Sequence, residues 1–257
     1  MALFLGAPLA ALVPEAFDSG GAAFARLLRD PQFTGAVRNT MLLGLISGVL
    51  SALVGTAIAI ELARQSPGRR QLMLSLLGLP LAFSGLVIAY GFILAFGRAG
   101  FVTQLLGMAG ADTAVIGSWI YSIGGLAFAY AYYLIPRVAL QLYPVFVNLD
   151  AAPTLAARTL GATPWQAWLH TVMPEVAPAV LSSAFFVSSV AMGTYGTALA
   201  LVGTQLNILP LMLLAKVGDG GNDFAGAAAM SLMLMFICTL VLRAGDVFGN
   251  RKSRAQH

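Results

Sequence analysis

The sequence predicts an all-α membrane protein, a bundle of about six transmembrane helices. The first observation behind this prediction is composition: of 257 residues, 59% are hydrophobic and only 9% are charged. A soluble domain carries about 25% charged residues, because its surface faces water. The second observation is a mean hydropathy of +0.85. The third is the recurrence of uncharged apolar stretches of about 20 residues, the length of helix that crosses the hydrocarbon core of a bilayer.

The apolar stretches define the expected spans in chain order. The first candidate, 1–14, is shorter than a full crossing and lacks the basic start of a signal peptide. We expect a shortened span there, with an interfacial helix as the alternative. No long polar linker or internal repeat divides the chain, so residues 1–257 are expected to form a single transmembrane domain. The remaining expected spans are 39–60, 71–97, 113–136, 176–202 and 224–242.

Lysine and arginine residues are distributed unevenly among the segments that join the spans. Three alternate segments hold nine of them, and the two connections between these segments hold two. Because basic connections stay on the cytoplasmic side of a membrane, we expect the three basic segments and both chain termini there. Residues 15–38 are an exception, since their three arginines are expected on the external side. The basic segments are 61–70, 137–175 and the tail after residue 242, and the other connections are 98–112 and 203–223.

One basic connection contains a predicted helix–turn–helix. Residues 155–160 are good helix formers, and Gly161 after them favours the left-handed conformation that ends a helix. Thr163 and Gln166 have the spacing of the N-cap and N3 residues of a capping box, with a proline at N1 between them. Pro174 is expected to end the second helix where the next span begins. A connection with so much specified structure is expected to contact a partner.

The same connection carries a family resemblance. Residues 155–161 read Leu-Ala-Ala-Arg-Thr-Leu-Gly, and Pro174 follows thirteen residues later. This pattern resembles the Glu-Ala-Ala loop of permease subunits from binding-protein-dependent ABC importers, in the group that imports polyamines, aminoethylphosphonate, ferric iron and thiamine. Ala156 and Ala157 match the two alanines of the family pattern. Leu155 departs from it, because the family usually has a glutamate at that position.

The resemblance implies a fold, a function and a set of partners. The fold is that of a type I ABC importer permease. The function is ATP-driven passage of a small solute, polyamine-like or aminoethylphosphonate-like, across a bacterial inner membrane. The implied partners are two copies of a cytoplasmic ATP-binding subunit, a second permease subunit, identical or similar, and an external substrate-binding protein. The resemblance assigns contact with the ATPase to a coupling loop at 144–174, through Leu155, Ala156, Ala157, Arg158, Gly161, Pro164, Trp165 and Pro174.

Polar residues concentrate between positions 188 and 197, inside the fifth expected span. Polar side chains at membrane depth usually face a helix bundle or a water-filled path, so this segment is our candidate for the translocation path. The alternative is that its hydroxyls bond to carbonyls four residues earlier in a packed helix. Some permeases of the resembling group carry an acidic residue where this chain has Thr194. The candidate path residues are Ser189, Thr194, Tyr195 and Thr197.

The sequence offers no set of side chains suited to catalysis, to a metal or to a cofactor. The two histidines, His170 and His257, are far apart, and no His/Cys cluster has metal-ligand spacing. Neither Lys216 nor Lys252 follows the glycine-rich sequence that cradles nucleotide phosphates, so ATP hydrolysis is expected in a partner subunit. The net charge of +4 lies in clusters that flank apolar stretches and does not indicate nucleic acid. An ion-coupled secondary transporter is the alternative function, and it predicts charged residues inside the spans.

Overall fold

The computed structural model describes residues 12–17, 21–203, 205–218 and 223–254, and most of these residues are helical. No strand occurs among the described residues, so the expected all-α fold class is confirmed for them. The expected span at 1–14 lies almost entirely outside the described residues.

The helices are numbered in chain order. The first seven are α1 (Ala22–Arg29), α2 (Pro31–Arg64), α3 (Pro67–Ala82), α4 (Gly85–Phe96), α5 (Phe101–Met108), α6 (Thr113–Trp119) and α7 (Ile123–Val147). They are followed by α8 (Ala152–Thr159), α9 (Pro164–Ala167), a π-helical turn (Trp168–Val172), α10 (Met173–Gly193), α11 (Gly196–Val202), α12 (Leu209–Gly218) and α13 (Phe224–Arg254).

In the described part of the chain, five helical stretches are long and apolar enough to cross a membrane. Helix α2 extends beyond the expected span 39–60 at both ends. Helix α7 continues past residue 136 through two internal prolines, so Arg137 lies inside this helix and not in the connection after it. The five stretches are Pro31–Arg64, Gly85–Met108, Ile123–Val147, Pro164–Gly193 and Phe224–Val247.

Breaks in the backbone interrupt three of the expected spans. The expected span 71–97 is divided between α3 and α4, because Phe83 has φ −85° and ψ 144°, an extended conformation that ends α3. Pro80 lies in the last turn of α3 and removes one backbone donor there, which weakens the helix just before the break. The expected spans 113–136 and 176–202 are divided as well, the first between α6 and α7 and the second between α10 and α11.

The chain forms two compact units, each assembled from separate stretches of sequence. The two units are described separately. Unit 1 holds the described residues of Met1–Leu45, Gly85–Ala129 and Val190–Leu240, and unit 2 holds those of Ile46–Ser84, Tyr130–Ser189 and Val241–His257.

Unit 1 has a hydrophobic core to which α1, the start of α2, α12 and the first turns of α13 contribute. Two polar contacts fix the chain just before α12. The Asn39 side-chain amide donates to the Asn207 carbonyl over 2.9 Å, and the Leu209 N–H donates to the Thr40 hydroxyl over 2.9 Å. The core side chains include Leu27, Phe33, Leu209 and Met230.

In unit 2, helices approach one another at glycines. A Cβ added at Gly55 of α2 would lie 2.7 Å from the Val138 Cβ of α7 and 3.0 Å from the Ile135 carbonyl oxygen. Gly245 of α13 lies against Phe185 of α10, and the Ser182 hydroxyl donates to the Gly245 carbonyl over 3.4 Å. Small residues at such contacts let helix backbones approach closely in lipid, where packing and not water exclusion drives association.

We predict that Gly55→Ala destabilises the protein by about 1–3 kcal/mol, because the new methyl group overlaps the Val138 side chain of α7 and presses against the Ile135 carbonyl oxygen. The measurement is the midpoint of thermal unfolding in detergent. Gly78→Ala is the matched control, since a Cβ at this α3 position meets nothing within 4 Å. Equal midpoints for the two variants would contradict the close approach of α2 and α7.

Candidate coupling loop and translocation segment

The first helix of the coupling loop is α8, which begins three residues earlier than expected. The Asp150 carboxylate accepts a hydrogen bond from the Ala152 N–H over 2.9 Å and so satisfies one donor of the first turn. The helix ends as expected at Gly161, which has φ +91°. The Ala162 N–H donates to the Ala157 carbonyl over 3.1 Å, which is the bond that closes a Schellman motif.

The second helix of the loop, α9, begins with the expected capping box. The Gln166 N–H donates to the Thr163 hydroxyl over 3.3 Å, and the Thr163 N–H donates to the Gln166 side-chain oxygen over 2.9 Å. Pro164 occupies the first turn, where its missing N–H costs nothing. Both loop helices therefore have their end groups satisfied by the loop's own residues.

A π-helical turn, Trp168–Val172, follows α9 directly and leads into α10. No residue pattern in the sequence predicted this turn. The expectation that Pro174 ends the second helix is wrong, because helix continues through it to Gly193. The Met173 N–H donates to the Trp168 carbonyl, five residues earlier. This wider turn shifts the hydrogen-bond register just before Pro174, so the helix continues through the proline.

A side-chain hydrogen bond joins α8 to the π-turn. The hydroxyls of Thr154 and Thr171 lie 2.9 Å apart, and the Thr171 hydroxyl is 2.6 Å from the Ala167 carbonyl. His170, also in the turn, has its Nδ1 atom 2.8 Å from the Gln166 carbonyl. The two loop helices are thus linked by contacts between residues seventeen positions apart.

The loop presents large apolar side chains that are mostly exposed in the described part of the chain. Leu160 is 89% exposed, Trp165 is 67% exposed and Leu155 is 58% exposed. The rings of Trp165 and Trp168 stack with centroids 5.4 Å apart, so the two tryptophans share one face. Of the other residues assigned to ATPase contact, Ala157 and Pro174 are half-buried, while Ala156, Arg158, Gly161 and Pro164 are exposed.

The candidate translocation segment contains a helix break. Helix α10 ends at Gly193, and Tyr195, with φ −110° and ψ −34°, precedes α11 and is about half exposed. The Thr194 hydroxyl donates to the Val190 carbonyl over 2.7 Å, which is the arrangement of the packed-helix alternative. Ser189 and Thr197 are both buried.

Thr197 differs from Thr194 in its environment. Its side chain is 0% exposed, and its Oγ1 atom has no hydrogen-bond partner. This hydroxyl lies against Gly85, the first residue of α4, so closely that a Cβ at Gly85 would overlap it. Helices α4 and α11 thus meet at their first turns. Sequence reasoning missed Gly85, because it lies in the middle of one continuous apolar stretch.

Unit 1 also has a polar cleft beside α1, lined in part by Arg26, Asp30, Lys216 and Asp223. The Lys216 ammonium lies 3.1 Å from the Asp223 carboxylate, which also accepts the Gly226 N–H over 3.0 Å. The hydrogen bond from Lys216 lowers the pKa of Asp223, and the nearby Arg26 guanidinium adds to this effect. Arg26, one of the three arginines of the 15–38 segment that are expected on the external side, therefore lies near an acidic side chain.

A helical membrane bundle with a capped helix–turn–helix loop defines the class of the chain, the permease subunit of an ABC importer. Comparison with protein families agrees: residues 51–254 match the model of the binding-protein-dependent transport system inner membrane component. The chain belongs to this family, and it is therefore an integral, multi-pass membrane protein of an ABC importer. The resemblance deduced from the loop is confirmed.

Individual relatives give the same class. The chain is 32% identical to the sulfate transport system permease protein CysW of Synechocystis sp., over 94% of this chain and 86% of the relative. It is 27% identical to the molybdenum transport system permease protein ModB of Mycobacterium bovis, over 93% of this chain and 88% of the relative.

A solved structure confirms the type I permease fold. It is a bacterial ABC transporter involved in the import of the acidic polysaccharide alginate, and it superposes with a TM-score of 0.73 at 17% identity. The match covers 97% of this chain and 91% of the other. At this identity the likeness concerns the fold alone.

We predict that Thr171→Val speeds amide hydrogen exchange across α8 and the π-turn by roughly two- to ten-fold, because one hydrogen bond between them is lost. Thr154→Val should have a smaller effect in the same direction, because the Thr171 hydroxyl also donates to the Ala167 carbonyl, and the double variant should be no worse than Thr171→Val. Thr159→Val is the control, since the Thr159 hydroxyl bonds only within its own helix, to the Ala156 carbonyl. Additive effects of the two substitutions would contradict a direct bond.

Proposed function

We propose that the chain is the membrane-spanning subunit of an importer that carries a tetrahedral oxyanion of the sulfate or molybdate type from an external binding protein to the cytoplasm. The observation that carries the substrate class is the full-length similarity to permeases named for sulfate and for molybdenum. The polyamine-like or aminoethylphosphonate-like solute suggested by the loop motif has no support among these relatives. Thr194, where some polyamine-group permeases have an acid, also fits an anion better than a cation.

A cytoplasmic ATPase is the proposed occupant of the exposed apolar face of the coupling loop. Leu155, Leu160 and Trp165 all belong to this loop and are exposed to solvent in the isolated chain. Contiguous exposed apolar side chains mark surfaces that bind partners. Each of two copies of the ATP-binding subunit would bind one permease subunit. One of these permease subunits is this chain, and the other is identical or similar to it. Leu155 would then make an apolar contact at the position where the family usually has a charged glutamate.

The loop is built to transmit movement. Its two helices are capped internally and linked through the Thr154–Thr171 bond, so a push on α8 moves the π-turn with it. The π-turn continues into α10, the helix that ends at the break before Tyr195. Closure of the ATPase dimer would thus shift α10 as a rigid element and alternate the access of the path, with the loop and both chain termini on the cytoplasmic side.

The substrate class is tested with the importer reconstituted in liposomes together with its ATPase and binding protein. We predict ATP-dependent accumulation of radiolabelled sulfate or molybdate, with competition between the two, because both are tetrahedral dianions of similar shape. Putrescine, a polyamine, serves as the control competitor and should have no effect. Accumulation of putrescine without uptake of either oxyanion would overturn the proposed substrate.

The coupling assignment is tested by Leu160→Glu. Because this side chain is almost wholly exposed, the substitution leaves the fold intact. We predict a loss of transport of at least about ten-fold, since a charge would be buried without a partner against the ATPase. Ser66→Glu is the matched control: it adds the same charge at the start of α3, where an acid is favourable at a helix N-terminus. Equal transport by both variants would remove Leu160 from the interface.

A further inference from the structure

We propose that Arg137 binds the oxyanion as it passes through the half of unit 2 that is expected to face the cytoplasm. This inference rests on the proposed function, because it takes the oxyanion as the solute. It gives a role to the single charged side chain of α7, which the sequence had placed in the connection after this helix.

Arg137 lies well inside a helix that is long enough to cross the membrane. Helix α7 continues for ten residues beyond it, which is about 15 Å at the rise of an α-helix. Helix α2 packs at this level, since a Cβ at Gly55 would lie 3.0 Å from the Ile135 carbonyl oxygen, and α2 continues for nine residues beyond Gly55. A charged side chain at membrane depth is unfavourable in lipid, so it usually faces the bundle interior or a water-filled path.

The face of α7 that carries Arg137 is partly open. Leu134, Val138 and Leu142 recur every four residues along α7, and all three are buried. Arg137 and Gln141 precede Val138 and Leu142 by one residue each, so they belong to the neighbouring face of the helix. Arg137 is partly exposed and Gln141 is exposed. Both side chains are therefore accessible to a solute in the described part of the chain.

Arg137 has no partner among the described residues. The ion pair within 4 Å in this part of the chain joins Lys216 to Asp223, and no hydrogen bond there involves the Arg137 side chain. Glu61 and Asp150, two acids of unit 2, accept hydrogen bonds from other residues. Because a charge away from water is unfavourable unless it is paired, an unpaired guanidinium at this depth is explained if an anion binds to it.

The donors on this face match a tetrahedral oxyanion. A guanidinium holds its N–H groups in a planar fork that can bind two oxygen atoms of one anion. Gln141 adds side-chain amide donors one helical turn away. Helix α7 contains no acidic residue, so this face offers a cation no countercharge. Sulfate and molybdate only accept hydrogen bonds when fully ionised, and one monovalent cation does not neutralise a dianion, so the anion can leave again.

The first test compares Arg137→Gln with Arg69→Gln in the reconstituted importer. Both substitutions remove one positive charge from unit 2, but Arg69 is exposed in the first turn of α3. We expect Arg137→Gln to transport sulfate or molybdate at least about ten-fold more slowly per assembled complex, because charge-assisted hydrogen bonds to the anion are lost. Arg137→Lys keeps the charge without the planar fork and should be intermediate. Equal rates for Arg137→Gln and Arg69→Gln would overturn the site.

The second test detects the anion at Arg137 without transport. The assembled importer in phosphatidylcholine nanodiscs is treated with phenylglyoxal, which modifies accessible arginines, and the modified residues are quantified by mass spectrometry. We expect molybdate, at twice its Kd or more, to reduce modification of Arg137 at least about three-fold relative to chloride at equal ionic strength, because an occupied site is protected in proportion to its occupancy. Modification of Arg69 should not change.

Two results of this experiment would contradict the site. One is protection of Arg137 by added phosphatidylglycerol and not by molybdate, which would mean that the guanidinium binds a lipid headgroup. The other is equal modification of Arg137 in chloride and molybdate, including no modification in either, which would mean that the anion does not reach this side chain.

The two proposals fail in different ways. If the wild-type importer transports oxyanions and Arg137→Gln matches Arg69→Gln, the site proposal falls and the proposed function stands. If the wild-type importer moves neither sulfate nor molybdate, the proposed function falls and the site falls with it. Slow transport by Arg137→Gln together with protection of Arg137 by molybdate supports both.

Discussion

The backbone of a membrane-spanning segment must satisfy its hydrogen bonds without water. This constraint limits where the helices of the protein can be interrupted. In lipid an unpaired amide or carbonyl is so unfavourable that irregular backbone persists only where protein or a water-filled cavity supplies partners. The chain has such breaks before α4 and before α11, and the starts of these two helices meet within unit 1. Gly85 makes the contact possible, because it leaves room for the Thr197 hydroxyl. The regular helical hydrogen-bond pattern is therefore interrupted where two helix starts pack against each other.

In the coupling loop, by contrast, hydrogen bonds within the loop satisfy the backbone groups at the helix ends. The Schellman motif at Gly161 and the capping box at Thr163 use up the end groups of both loop helices, and the Thr154–Thr171 bond links them. What remains for a partner is the exposed apolar face that includes Leu160 and Trp165. The π-turn joins this loop directly to the long helix α10, which is consistent with the proposed role of the loop in coupling.

The sequence predicted those features that depend on neighbours a few positions apart. Gly161 and the Thr163 capping box were predictable because helix caps are encoded within four residues. The π-turn was not, since the contact between Thr154 and Thr171 spans seventeen positions. The sequence did not reveal the break before α4, because the apolar composition continues through it. In addition, a proline within a helix does not always end that helix. The loop motif indicated the family but did not identify the substrate class of the relatives.

The central claim is that the exposed loop face contacts an ATPase on the cytoplasmic side, and site-directed cross-linking tests it most directly. Cys238 is the single cysteine of the chain. A Cys238→Ser background with Leu160→Cys therefore gives one reactive thiol on the loop. In membranes that contain the whole importer, we expect a cross-linked product between this chain and the ATP-binding subunit, with a yield that changes when nucleotide is added. Labelling of the same thiol by a membrane-impermeant reagent from the external side, without any ATPase product, would contradict it.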